Sequence, residues 1–304
     1  MTLSPNDPSF ELGKAAIKGG SKSFRLASLF LNRQSQWGSY LLYRWCRYCD
    51  DQVDQAPSDA EAEAALEQLR LETTRALNGE ACPTGSPFAA LPLLRHQFQI
   101  PDNYFFDLLE GFRRDVVGEP ILTLDDLLIY CYHVAGVVGL MMSHILQVKT
   151  SEALRPADQM GRAMQLTNIC RDIGEDYKLQ RLYIPRQWLT EFGITAATLL
   201  APETESKLVN LRQKLLLLAD ELYAEGRKGL VYLPFRAAWS ISVASFLYQG
   251  IGHEIQKRGA LALHQRTILT PLQKLKSVAQ GTFFFGKLLW QHWIQRRTER
   301  STTL

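Results

Sequence analysis

Cysteine is scarce and odd in number, five in 304 residues. That excludes a disulfide framework and reads as reduced thiols in a cytoplasmic chain. Thirteen prolines and twenty glycines are too few for a collagen-like or low-complexity protein. A net charge of +3 gives no ground for a nucleic-acid partner. Strand-like alternation is nearly absent. Residues Met1 to Phe10 lack a basic flank followed by an apolar core, so no leader is read there. Long apolar runs are missing too, with one exception. Leu127 to Val148 carries no Asp, Glu, Lys or Arg and is long enough to span a bilayer. It also holds His133, Ser143, His144 and Gln147, and is read as a buried helix. Gly136 and Gly139 would leave space along it for a neighbour or a ligand.

What is present is helical periodicity. Ala60 to Leu77 reads as a helix capped by Ser58, with Leu66, Leu69 and Leu77 on one stripe. Ser206 to Gly229 repeats leucine at three- and four-residue steps. Tyr40 to Gln55, Asp107 to Val117, Asp125 to Gln147, Asp158 to Tyr177 and Ala237 to Arg258 follow the same period. No segment is long or biased enough to be an interdomain linker. The expectation is one all-α domain over residues 1–304, with helices surrounding a central cavity.

Two acidic stripes carry the chemistry. Tyr43, Arg47, Asp50 and Asp54 fall at steps of four, three and four, so they share a helix face, while Asp51 sits about 100° round from Asp50. Leu41, Leu42, Trp45, Cys46 and Cys49 make the segment apolar, and carboxylates crowded near a core need a cation. Gln165, Asn168, Asp172 and Asp176 form a second stripe at steps of three, four and four, beside Arg171. Oxygen-only ligands (Asp50, Asp54, Asn168, Asp172 and Asp176) suit Mg²⁺, with Mn²⁺ the alternative, and not zinc. Mg²⁺ leaves coordination positions to water and phosphate oxygens, so each stripe can hold metal against a diphosphate. Arg47 and Arg171 add fixed positive charge for the same anion.

At these residues the sequence resembles the squalene and phytoene synthase family. Ser21-Lys22-Ser23-Phe24 is similar to the family's diphosphate-contacting serine block. Tyr43 to Asp54 matches its first aspartate-rich motif, and YCYHVAGVVG, from Tyr130 to Gly139, its glycine-containing helix. The stretch GRAMQLTNICRDIGEDYKLQRLYIP, Gly161 to Pro185, matches its second motif, including Arg181 and Tyr183. Tyr248 and Arg266 align by looser spacing.

The resemblance implies an isoprenoid synthase fold and head-to-head condensation of two prenyl diphosphates. The reaction it implies passes through a cyclopropylcarbinyl diphosphate. It implies Asp50, Asp54, Asp172, Asp176, Arg47 and Tyr43 as catalytic residues. Ser21, Lys22, Ser23, Phe24, Tyr43, Arg47, Gln165, Arg171, Arg181, Tyr183, Tyr248 and Arg266 would contact substrate. Leu140, Met141, Ile145 and Leu166 are expected to wall the cavity. The proton lost from the cation has two candidate acceptors, released diphosphate or Tyr248. The block TNICRDIGED, RLYIP and the Ala238-Trp239 pair are most similar to bacterial phytoene-forming members. Two geranylgeranyl diphosphates are therefore the expected substrates, at the first step of carotenoid formation, with no NADPH and a desaturase acting downstream. A C30 synthase making dehydrosqualene, squalene or hydroxysqualene from two farnesyl diphosphates shares the same motifs.

The remaining features read more plainly. Cys46 and Cys49, His133 and His144, and Trp37, Trp45, Trp188 and Trp239 are expected to pack in the core. The basic aromatic tail, 283–304, interleaves Phe283, Phe284, Phe285, Leu288, Leu289, Trp290, Trp293 and Ile294 with Lys287, Arg296, Arg297 and Arg300. It either packs onto the domain or lies against anionic lipid, a peripheral contact at the inner face of the membrane.

Overall fold

The computed structural model describes residues 8–19, 28–29, 31–148 and 150–302. No strand occurs among them. The helices are α1 (Pro8–Gly19), α2 (Arg33–Asp54), α3 (Asp59–Leu77), α4 (Leu91–Phe98), α5 (Asp102–Val116), α6 (Leu124–Cys131), α7 (Val137–Ile145), α8 (Leu154–Lys178), α9 (Arg186–Glu191), α10 (Glu205–Lys228), α11 (Phe235–Arg258), α12 (Leu261–His264) and α13 (Pro271–Thr302). Their ends follow local chemistry. Ser58 caps α3 by accepting from the Glu61 N–H, and Thr123 and Asp126 form a reciprocal capping box on α6. Helix α5 starts five residues before its expected Asp107, with Pro101 at its cap, where a missing N–H is harmless.

Two cores flank the central space. One gathers Trp45, Leu66, Phe88, Leu94, Phe105, Met141 and Ile145, from α2 to α5 with α7. The other gathers Leu166, Ile173, Trp188, Leu211, Leu215 and Tyr223, mainly from α8 and α10. Cys49, Trp37, Trp45 and Trp188 are buried, as expected. Trp239 is only partly covered, and its Nε1 donates to Thr282 Oγ1.

Leu124–Ile145, which takes in most of the uncharged run, is long and apolar enough to cross a bilayer, yet half of its most apolar window is buried inside the fold. It is not one regular helix. Tyr132–Gly136 forms a π turn joining α6 to α7. Its five-residue bonding inserts one residue into the helical count and rotates everything after it by about 100°. Arg162 braces the turn. Its Nη1 donates to the Leu128 carbonyl, its Nε to Asp158, and its guanidinium lies 5.3 Å from the Tyr132 ring centre. Gly136 and Gly139 do leave space, and α8 fills it. A Cβ at Gly136 would strike Asp158 Oδ1, one at Gly139 the Ala157 carbonyl, and one at Gly161 the Ala135 carbonyl.

Position 283 falls inside α13, which packs along α11. Phe285 is buried with Leu230 and Ala238, and Ser242 donates to the Gly281 carbonyl. Phe283 and Trp290 remain largely exposed. The side chains of Trp293, Ile294, Arg296, Arg297 and Arg300 lie outside the described residues, as does the Ser21–Phe24 block.

Candidate active site

Helix α2 contributes Tyr43, Arg47, Asp50 and Asp54 to one polar cavity of about 570 Å³. Helix α8 contributes Gln165, Asn168, Arg171, Asp172 and Asp176 to the same cavity. Arg181 and Tyr183, from the segment after α8, and Arg266, after α12, also line it. The structure thus gathers both stripes in one mouth, and it places Arg266 there despite the distance in sequence. Asp51 does not line the mouth, as its helical phase requires.

Each arginine of the mouth is already engaged. Arg47 pairs with Asp50 at 2.9 Å and with Asp51 at 2.6 Å. Arg181 reaches from the second motif to Asp54 at 2.7 Å and ties the two stripes together. Arg171 pairs with Asp172. Arg266 adds a second cation to Asp172 at 3.3 Å and contacts Glu175 at 3.2 Å. No ion pair or side-chain hydrogen bond among the described residues reaches Asp176. Desolvation and the neighbouring Asp172 push its pKa up to about 7. Asp50, desolvated and beside Asp54, is pushed up to about 6. Burial and crowded like charge both raise these carboxyls, and a bound cation would relieve them.

That tests the fit of a divalent cation. The donors are oxygens on two stripes, one carboxylate has no direct ion-pair partner, and Asn168 lies one turn from Asp172. No three His, Cys, Asp or Glu side chains among the described residues form a ready-made cage. An ion completed by water and substrate phosphate fits such an open arrangement, whereas a closed structural metal does not.

The mouth continues into an apolar chamber of about 320 Å³, and Val134, Val138, Gln165 and Asn168 border both. Val134, Val138, Met142, Met164, Leu230 and Ile241 wall the chamber, with Tyr248 at its edge. The expected wall residues Leu140, Met141, Ile145 and Leu166 do not line it. They are buried in packed protein, because Val134, Val138 and Met142 form the face turned to the chamber and Leu140, Met141 and Ile145 lie off it, while Leu166 packs in the core with Leu211 and Leu215.

Sequence reasoning missed Asp115 at the end of α5 and gave Tyr130 no individual role. Both line the mouth, and Asp115 accepts hydrogen bonds from Tyr183 and Tyr130. No spacing marks Asp115, since its partners lie 15 and 68 residues away.

The chain is similar to known proteins over most of its length. Residues 17–273 match the model of the family described as squalene/phytoene synthase. The chain is 39% identical to the 15-cis-phytoene synthase of Enterobacter agglomerans, over 84% of this chain and 89% of that one. It is 38% identical to the 15-cis-phytoene synthase of Pantoea ananas, over 84% and 85%. Among solved structures, a dehydrosqualene synthase superposes with a TM-score of 0.84 at 30% identity, covering 92% of this chain and 97% of the other. A squalene synthase from Alicyclobacillus acidocaldarius gives 0.75 at 29% identity, covering 83% and 94%.

Proposed function

The chain belongs to the squalene/phytoene synthase family, and from that premise we propose that it joins two geranylgeranyl diphosphates head to head to give phytoene. The observation that supports this product is the identity of 39% and 38%, over 84% of the chain, to two proteins named 15-cis-phytoene synthase. The enzyme is a prenyltransferase of isoprenoid metabolism, and the product opens carotenoid formation.

The chemistry asks for a charged end and a dry end. Asp50, Asp54, Asn168, Asp172 and Asp176 would hold Mg²⁺, with Mn²⁺ the alternative, and the bound metal would neutralise charge growing on the leaving diphosphate. Arg47, Arg171, Arg181 and Arg266 offer guanidinium groups to the same oxygens. Departure of diphosphate leaves an allylic cation. Its attack on the second substrate's double bond, followed by proton loss, gives the cyclopropylcarbinyl diphosphate. A second ionisation, rearrangement and proton loss give the hydrocarbon. Val134, Val138, Met142 and Met164 would keep water from the cation. No reduction enters this sequence, so NADPH is not required.

The test is the product. Purified protein with Mg²⁺ is given geranylgeranyl or farnesyl diphosphate, with and without NADPH. The expected result is phytoene from the C20 substrate, unchanged by NADPH. Faster turnover of farnesyl diphosphate to a C30 hydrocarbon would replace this reading with the C30 one, which the structural likeness to a dehydrosqualene synthase favours. A reduced product formed only with NADPH would assign squalene synthesis. We also propose a cytoplasmic enzyme touching the inner face of the membrane through the exposed apolar edge of α13. Its product is insoluble in water and is handed to a desaturase.

A further inference from the structure

Asp115 sits where three segments meet. Its Oδ1 accepts from the Tyr183 hydroxyl at 2.8 Å, and its Oδ2 accepts from the Tyr130 hydroxyl at 3.1 Å. The two rings stack with centres 4.7 Å apart at an interplanar angle of 20°. Tyr130 comes from α6, Tyr183 from the segment after α8, and Asp115 from the last turn of α5. All three border the mouth.

An ionised carboxylate only accepts hydrogen bonds. Both phenolic hydrogens are therefore committed to Asp115, and neither hydroxyl can turn its positive end toward the mouth. Resting on the proposed carbocation chemistry, we infer that Asp115 is a positioning residue: it fixes the Tyr130 and Tyr183 hydroxyls so that a cation born in the mouth meets phenolic oxygens and not O–H hydrogens. Dipoles oriented before the charge appears need no reorganisation during the reaction, and a single such group is commonly worth two to three orders of magnitude in rate, about 100- to 1000-fold. Desolvation pushes the Asp115 pKa up to about 6, against the lowering effect of its tyrosines and Arg181, and the two hydroxyl donors, one on each oxygen, are the arrangement that a carboxylate accepts. Asp54 is the neighbouring like charge.

The variant Asp115→Asn keeps the shape and reverses the polarity. Its amide nitrogen donates, so one tyrosine must accept and swing its hydrogen elsewhere. It also removes a desolvated charge, so folding is retained. The expected result is a kcat lowered about 100-fold, with KM for the diphosphate within about threefold of the parent and an unchanged or raised Tm. Because Asp115 acts through the tyrosines, adding Tyr183→Phe should cost no more than about a further twofold. A kcat within about threefold of the parent overturns the inference, and so do losses that multiply in the double variant. Should Asp115→Asn not fold, the pair Tyr130→Phe with Tyr183→Phe carries the test, and a kcat near the parent's has the same adverse meaning. The parent is assayed first on both diphosphates. A parent that consumes neither overturns the functional reading and this inference together, whereas an active parent with an unaffected variant overturns this inference alone.

Discussion

The carboxylates of the mouth differ in how they are compensated, and their substitutions should differ accordingly. Asp54 is held by Arg181, Asp172 by two arginines, and Asp176 by no direct partner. Replacing Asp54→Asn or Asp176→Asn removes a charged group from the transition state, at about 3–4 kcal/mol, or on the order of hundreds-fold in kcat. Asp51 shares Arg47 with Asp50 but stands off the mouth. Asp51→Asn should therefore cost clearly less. Assays at saturating Mg²⁺, with circular dichroism as the folding control, decide this. Equal losses at Asp51 and Asp54 would contradict the facing assigned to α2, and full activity in Asp176→Asn would remove the second stripe from the mechanism. These residues were legible because four positions on one helix obey the 3.6-residue period. Asp115 was not, because a lone aspartate after two arginines looks like any solvated helix end. Only the fold brings Tyr130 and Tyr183 to it.

At the scale of elements, the seam between α8 and the π turn leaves no room for a side chain at Gly136 or Gly161. At Gly161 a Cβ would stand 2.8 Å from the Gly136 Cα and closer still to the Ala135 carbonyl. Both neighbours are backbone and cannot step aside. A Gly→Ala change in a helix gains up to about 1 kcal/mol in propensity, but overpacking costs typically 1–3 kcal/mol, and more where nothing yields. Gly161→Ala should thus lower Tm, whereas Gly286→Ala, with open space around it, should raise Tm or leave it unchanged. A stabilised Gly161→Ala would show that the seam can open. Gly136 and Gly139 are legible as small residues, whereas the π turn is not, because one surplus residue leaves no mark in an unbroken apolar run. The expected chamber wall rests on apolar character without helical phase, and Leu140, Met141 and Ile145 lie buried away from the chamber while Val134, Val138 and Met142 line it. Helix α13 calls for a gentler test than truncation, since Phe285 is part of the core. The double change Phe283→Ser with Trp290→Ser should weaken binding to anionic liposomes, while Tm holds. Exposed Lys274, Lys276 and Lys287 on the same helix supply the charge for such a surface. Unchanged binding, or none in the parent, would count against a lipid contact.

For the whole molecule, acidity and metal should oppose each other. The folded-state pKa values of Asp50, Asp115 and Asp176 are raised, to about 6, about 6 and about 7. A raised carboxyl contributes stability that is complete below its unfolded value, near 3.9, and is lost as pH climbs through the folded value. His253, raised by Asp220, is likewise lost as pH rises through its folded value, while the lowered Asp220 contributes throughout this window. His144, lowered by burial, acts in the opposite sense, but it is one group against four and only up to its unfolded value near 6.5. The metal-free protein should therefore lose Tm between pH 5.5 and 8, and Mg²⁺ should restore more at pH 8 than at pH 5.5. Thermal melts across that range, with and without Mg²⁺, test the sign. A Tm that rises with pH in the absence of metal would contradict it.

The polar mouth opening directly into an apolar chamber has a consequence for handling this protein. Together the two compartments are the mould of a single-chain surfactant, one anionic head joined to one long tail. Nothing in such a mould inspects the middle of its occupant. Monomeric alkyl phosphates or sulfates should enter it head to mouth and compete with substrate at concentrations well below those at which micelles form. Surfactants with uncharged sugar or polyether heads, having nothing to offer the four arginines, should not. The choice of solubiliser for an oily product is then also a choice of inhibitor.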